Sequence, residues 1–201
     1  MSLTEKLKAK APIGEIGAWL DSLDAEARWA ALASTDRATQ RALYQAAAES
    51  PPLTLDHFAP ANRPSLTEVR HRGRNSLPLL PSWRFFAKCF TRPSDGAERL
   101  FGYNDSPTGG LIGPGFYVAH STAGNADWEP RGAIVVNYFL TPDGPVVEGW
   151  PKVVPNSQGL QMFVYKGTRD FMRGVSQHVS IGAAYKGEKA LDHYFVLCRE
   201  D

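Results

Sequence analysis

Glycine and alanine divide this chain into two unlike parts. Sixteen of the 18 glycines lie beyond residue 62, whereas 15 of the 24 alanines lie at or before it. Alanine is the strongest helix former and glycine among the weakest, so the front is predicted to be helical and the rest mostly not. Proline shares the asymmetry: Pro12 stands alone before Pro51, which begins a stretch holding 14 of the 15 prolines. Pro51, Pro52, Pro60 and Pro64 punctuate residues 50–65 and favour extended backbone there. The expected organisation is a helical segment over 1–50, a connector over 51–65 and a β domain over 66–201, with the helices and the β domain forming one compact unit.

In the helical segment, Ile13, Ile16, Leu20, Leu23 and Ala27 recur at three- and four-residue intervals, one face of a helix. Pro12 suits a first helical position, where its missing N–H costs nothing. Asp24 can cap a second helix from Ala25, and Ser34 or Thr35 a third reaching about Glu49.

Beyond Leu66 the period changes to two, that of a strand. Trp83, Phe85, Ala87 and Cys89 alternate with Arg84, Phe86, Lys88 and Phe90, and the former set reads as the apolar face. Further strands are predicted at Phe116–Ser121, Ala133–Leu140, Leu160–Lys166, Val175–Tyr185 and His193–Arg199, with weaker ones at Leu66–Arg72 and Arg99–Asn104. No helix-length pattern separates them, which favours antiparallel pairing over βαβ units. The fold class expected is α+β: short N-terminal helices, then an antiparallel β-barrel or strongly curved sheet of about eight strands, since closure removes exposed edges.

Composition narrows the function classes. The 22 Lys+Arg against 21 Asp+Glu give a net charge of +1, which argues against a nucleic-acid coat or a polybasic membrane binder. No apolar run approaches the ~18 residues of a membrane helix. The first ten residues, MSLTEKLKAK, lack the apolar stretch of a secretory signal, so a cytoplasmic location with Cys89 and Cys198 reduced is expected. Two cysteines and five histidines without metal-ligand spacing imply no metal site. The neutrality is a cancellation: residues 1–62 carry −2, residues 63–99 carry +5 and residues 100–201 carry −2. Arg70, Arg72 and Arg74 form the centre of the basic segment and are candidates to hold an anion. The alternative for them is a solvated strand face.

The glycine-rich loop 108–115 fits neither GxGxxG nor GxxxxGK[ST], so it reads as a tight connection and no cofactor is implied. Among polar residues on predicted strands, His120, Asn137, His178 and His193 are the candidates to converge inside a barrel as the polar fixtures of an apolar pocket. Asn137 lies in a strand apolar on both faces, so it is expected to be buried. Both cysteines read as structural thiols. The leading expectation is a protein that binds a small, largely apolar ligand inside the barrel or curved sheet, an anionic ligand being the partner that Arg70, Arg72 and Arg74 would take. Two other classes stay open: a cofactor-independent enzyme using His120 or His178 as general base, and an interaction module using the helices or the Arg-rich 63–99 segment.

Overall fold

Four short helices open the chain, each starting at a residue that suits the position: α1 (Leu3–Lys8), α2 (Ile13–Asp21), α3 (Ala25–Ala33) and α4 (Arg37–Ala46). Ser2 and Glu5 form a reciprocal capping box on α1. Asp24 caps α3 by accepting from the Ala27 N–H at 2.8 Å, as its position predicts. Pro12 sits one residue earlier than predicted, at the N-cap of α2. The α4 cap is Asp36, not Ser34 or Thr35, because its carboxylate reaches the Thr39 N–H at 2.7 Å while Thr35 bonds back to the Leu32 carbonyl. The buried Arg28 guanidinium donates to the carbonyls of Leu20 (3.0 Å) and Leu23 (2.9 Å), satisfying the end of α2.

The computed structural model describes residues 1–200 apart from Leu79 and Thr108. Behind the helices, β1 (Val69–Asn75), β2 (Phe85–Thr91), β3 (Leu100–Asp105), β4 (Tyr117–Ser121), β5 (Ile134–Asn137), β6 (Thr168–Gly174), β7 (Val179–Lys186) and β8 (Lys189–Arg199) pair antiparallel in sequence order. β8 returns to β1, with Gly73 opposite Leu197, and closes an eight-stranded barrel. No helix among the described residues is long and apolar enough to cross a membrane.

Two apolar clusters hold this together. The first lies between the helices and the outside of the barrel: Ile13, Ile16, Leu20, Leu32 and Leu43 pack on Val179, Ile181, Val196 and Cys198. A fully buried side chain of this kind contributes about 1.5–3 kcal/mol relative to exposure. The predicted helical stripe is therefore largely consumed within the chain. The second cluster fills the barrel. Residues Leu55, Phe58 and Ala59 of the connector plug one end, where the Phe58 ring meets Phe90 at 4.9 Å and its carbonyl lies 3.0 Å from His71 Nε2. An aromatic column continues inward through Phe90, Tyr117, Tyr138 and Tyr165, with centroid separations of 5.4, 5.5 and 5.2 Å.

Glycines make room for that column. A Cβ at Gly102 would collide with the Tyr117 ring and with the Cys89 carbonyl, which is main chain and cannot turn aside. Gly102→Ala is expected to lower stability by about 1–3 kcal/mol, read as an earlier midpoint in urea denaturation. An unchanged midpoint would mean that the Tyr117 ring is not fixed where the structure has it.

Three strand expectations need correction. Leu160–Lys166 is not a strand; Gln161–Val164 forms a single helical turn, α5, with Phe163 73 % exposed. The sixth strand is instead Thr168–Gly174, which was not predicted, and β7 begins only at Val179. The face assignment of β2 is also reversed. Phe86, Lys88 and Phe90 pair in register with Gly73, His71 and Val69 on the inner wall, while Ala87 and Cys89 are buried on the outer one. Trp83 lies in a 3-10 turn before the strand and is exposed.

Candidate functional site

The inner wall changes character toward the end opposite the connector plug. In place of apolar side chains, the register brings Lys88 of β2 beside Asn104 of β3, and Asp170 of β6 beside Ala184 of β7, which in turn faces His193 of β8. β2 and β6 stand four strands apart in the ring of eight, so Lys88 and Asp170 face each other across the lumen. Their side chains meet: Lys88 Nζ lies 3.1 Å from Asp170 Oδ2. Lys88 also donates to Asn104 Oδ1 at 2.9 Å and to the Tyr138 hydroxyl. Asn104 Nδ2 donates to the Gly115 carbonyl at 3.1 Å, and Tyr138 donates to Asp170 Oδ2 at 3.3 Å. All three protons of the ammonium thus have acceptors.

Burial governs the electrostatics of this bridge. Lys88 is 1 % and Asp170 6 % exposed. Loss of hydration pulls the Lys88 amine below the usual lysine range and pushes the Asp170 carboxyl above the usual aspartate range; each partner's charge opposes the other's shift without reversing it. The low-dielectric site therefore draws both groups toward their neutral forms. Burial, reinforced by the charge of Asp170, holds the Tyr138 phenol well above its ordinary range, so it keeps its proton. The ammonium also lies 4.9 Å from the Tyr117 ring and 5.0 Å from the rings of Tyr138 and Phe195.

Above the bridge is a cavity of about 400 Å³, partly open at its outer end. Phe86, Phe163, Val164, Tyr165, Leu191 and Phe195 supply most of its apolar wall, and Lys88, Asn104, Tyr138 and Asp170 its polar floor. The glycine-rich segment supports that floor. Gly109–Ile112 forms a helical turn, Thr108 lies outside the described residues, and Gly115 accepts from Asn104 in a left-handed conformation (φ +57°). A Cβ on Gly115 would strike the Tyr165 ring, so only glycine fits at this contact.

No family model, curated protein or solved structure matches this chain. Its chemistry is accordingly read from the geometry. Among the described residues, no group of three or more His, Cys, Asp or Glu side chains is placed to hold a metal ion.

Of the four polar residues expected to converge in the lumen, only His193 lines the cavity. Burial, aided by the charge of Arg37, lowers its pKa below the ordinary 6.5, which keeps the imidazole neutral at neutral pH. His120 and Asn137 share the outer face, paired with Val135 and Val118. His120 Nδ1 lies 2.9 Å from the Ser121 carbonyl. Asn137 is buried as expected, but it accepts from the Phe139 N–H at 3.1 Å. His178 belongs to the turn before β7, where its carbonyl accepts from the Arg199 N–H. The reason is register: one step along β5 exchanges Asn137 for Tyr138, and in β4 one step exchanges His120 for Ala119. A histidine general base in the cavity would therefore have to be His193, not His120 or His178.

The arginine cluster lies elsewhere. Arg70 pairs with Asp105 at 2.7 Å and with Glu200 at 3.4 Å, and Arg72 with Glu26 at 2.8 Å and with Glu200. Arg74 donates to the Ala33 carbonyl and stacks on Phe85. The chain's own carboxylates match the charge of the first two, and α3 engages the third. Cys89 and Cys198 are both buried, and burial pushes the Cys89 thiol up to about 12.

Proposed function

We propose that the barrel binds a small, largely apolar and uncharged molecule that carries a hydrogen-bonding group at one end. The observation that carries this reading is the pairing of an apolar cavity of about 400 Å³ with a polar floor whose one cation and one anion cancel. That volume falls in the range of roughly 300–1,000 Å³ common for small-ligand pockets. The apolar wall accounts for the body of the ligand. The floor accounts for its end: a carboxylate would stand beside Asp170, and an amine beside Lys88, in surroundings where an extra charge is costly. A hydroxyl or carbonyl adds none and can bond to the Tyr138 hydroxyl or Asn104.

The test is displacement of the neutral dye N-phenyl-1-naphthylamine, followed by fluorescence, with octan-1-ol and octanoate as competitors. Octan-1-ol is expected to displace the dye, with octanoate weaker by about tenfold or more. Failure of the dye to bind, or tighter binding of octanoate, would overturn the reading.

A further inference from the structure

Lys88 holds a position that hydrogen bonding alone does not require. A barrel floor can be closed with aromatic rings, as Phe58 and Phe90 do at the other end. Here a primary amine stands at the bottom of an apolar pocket, with a carboxyl 3.1 Å away and a phenol within hydrogen-bonding distance. An amine can add to a carbonyl when it is unprotonated, when a neighbouring acid can deliver and take back a proton, and when bulk water is kept away. At this floor burial draws the amine toward its unprotonated form, Asp170 is the neighbouring acid, and the apolar wall keeps bulk water away. We infer that Lys88 forms a reversible imine with an apolar aldehyde or ketone bound in the barrel. The inference rests on the ligand-binding reading above and names the ligand's end group as a carbonyl.

The atoms balance without any oxidant or reductant. Proton transfer within the bridge leaves Lys88 as amine and Asp170 as carboxylic acid. The nitrogen lone pair bonds to the carbonyl carbon as the C=O π bond opens, and the oxygen takes the Asp170 proton. The nitrogen then returns one of its protons to Asp170, giving a neutral carbinolamine. Asp170 protonates the carbinolamine hydroxyl, which leaves as water while the nitrogen lone pair closes the C=N bond. The product is a protonated imine with the Asp170 carboxylate as counter-ion, and hydrolysis reverses each step. Tyr138, which keeps its proton, can hold the oxygen throughout. The charge of the bridge is the same before and after, so the buried site gains no net charge.

The chain supplies its own controls, because Lys88 is one of eight lysines. Lys186 also lines the cavity but is exposed at its mouth. The experiment incubates the purified protein with octanal and sodium cyanoborohydride, which traps an imine as a secondary amine, and locates the octyl group by peptide mass spectrometry. Lys88 is expected to be modified about tenfold or more above any other lysine, since the cavity holds the bound aldehyde beside this amine alone at its floor. Lys88→Arg keeps a cation for Asp170 but cannot form an imine, so it is expected to lose the capture. The wild-type map decides the matter even if that variant does not fold. Modification spread over the exposed lysines, or centred on Lys186, while octanal and octan-1-ol still displace the dye, would sink the imine and leave the binding reading standing. If neither compound displaced the dye and Lys88 stayed unmodified, both would fall.

Discussion

Replacing Lys88 with methionine is expected to cost about 3–5 kcal/mol of folding stability, the usual effect of removing one partner from a buried ion pair. Methionine matches the stem of lysine closely, so the loss arises from charge and not from a hole. Asp170 would keep its place without its cation, and Asn104 and Tyr138 would lose a donor. Lys88→Met with Asp170→Leu is expected to recover most of the loss, because no uncompensated charge is then buried. The single variant should also carry a characteristic pH dependence. The Asp170 carboxyl already titrates above its ordinary 3.8 in the folded chain, and it moves higher once the attraction of Lys88 is gone. In the unfolded chain it ionises near that ordinary value. A raised carboxyl favours the fold only while protonated, and the unfolded value is common to both proteins, so the deficit against wild type widens until the variant's folded carboxyl ionises and opens only as pH rises past the wild-type carboxyl's own raised titration. Below that pH it should narrow or reverse, since wild type then buries an ammonium with no carboxylate beside it. Urea denaturation of the three proteins across the acid range measures this. A deficit independent of pH, or a double replacement no better than the single one, would show that the pair does not hold the floor.

The architecture was open to sequence reading because its causes are local. The concentration of alanine before residue 62 marks the helices, Asp24 marks a cap, and period-two runs separated by proline and glycine mark strands that pair with their neighbours. The site was hidden because it breaks the pattern on which strand reading depends. In β2 the run Phe85–Phe90 is apolar on both faces, and the lysine makes its own face look like the wet one. The face that contains Lys88 nevertheless points into the barrel, and Cys89, on the other, is buried from outside.

β6 was missed for a related reason. Its inward residues are Thr168, Asp170 and Met172, and its outward residues Arg169, Phe171 and Arg173, so neither face is uniformly apolar. The outward arginines lie over aromatic rings, Arg169 at 4.1 Å from Phe139 and Arg173 at 4.1 Å from Tyr44. Their stems cover the barrel while the alternation in sequence is erased. The unpredicted strand and the unpredicted carboxylate are therefore one omission. The available signal was a charged residue flanked at two-residue spacing by aromatics, as in Phe86, Lys88 and Phe90. Such a residue either ends the strand or finds a partner in the lumen, and a barrel supplies that partner on the opposite wall.

Ala184→Phe is expected to abolish most ligand binding while leaving the barrel intact. Ala184 faces the lumen between Asp170 and His193 and lines the cavity above the floor. It is only half-buried, so a larger side chain can lie in the open volume without displacing the packed column of Phe90 and Tyr117. The ring would take space that the ligand's apolar body needs. Two methylenes forced back into water cost about 1.6 kcal/mol, and hence roughly tenfold in affinity. The bridge beneath is untouched, which separates this variant from Lys88→Met: one loses the pocket and keeps the stability, the other loses stability first. Dye displacement by octan-1-ol and the urea midpoint, measured on the same preparation, distinguish them. Wild-type affinity in Ala184→Phe at an unchanged midpoint would place the ligand outside the barrel. The cavity over Lys88 would then be packing space alone.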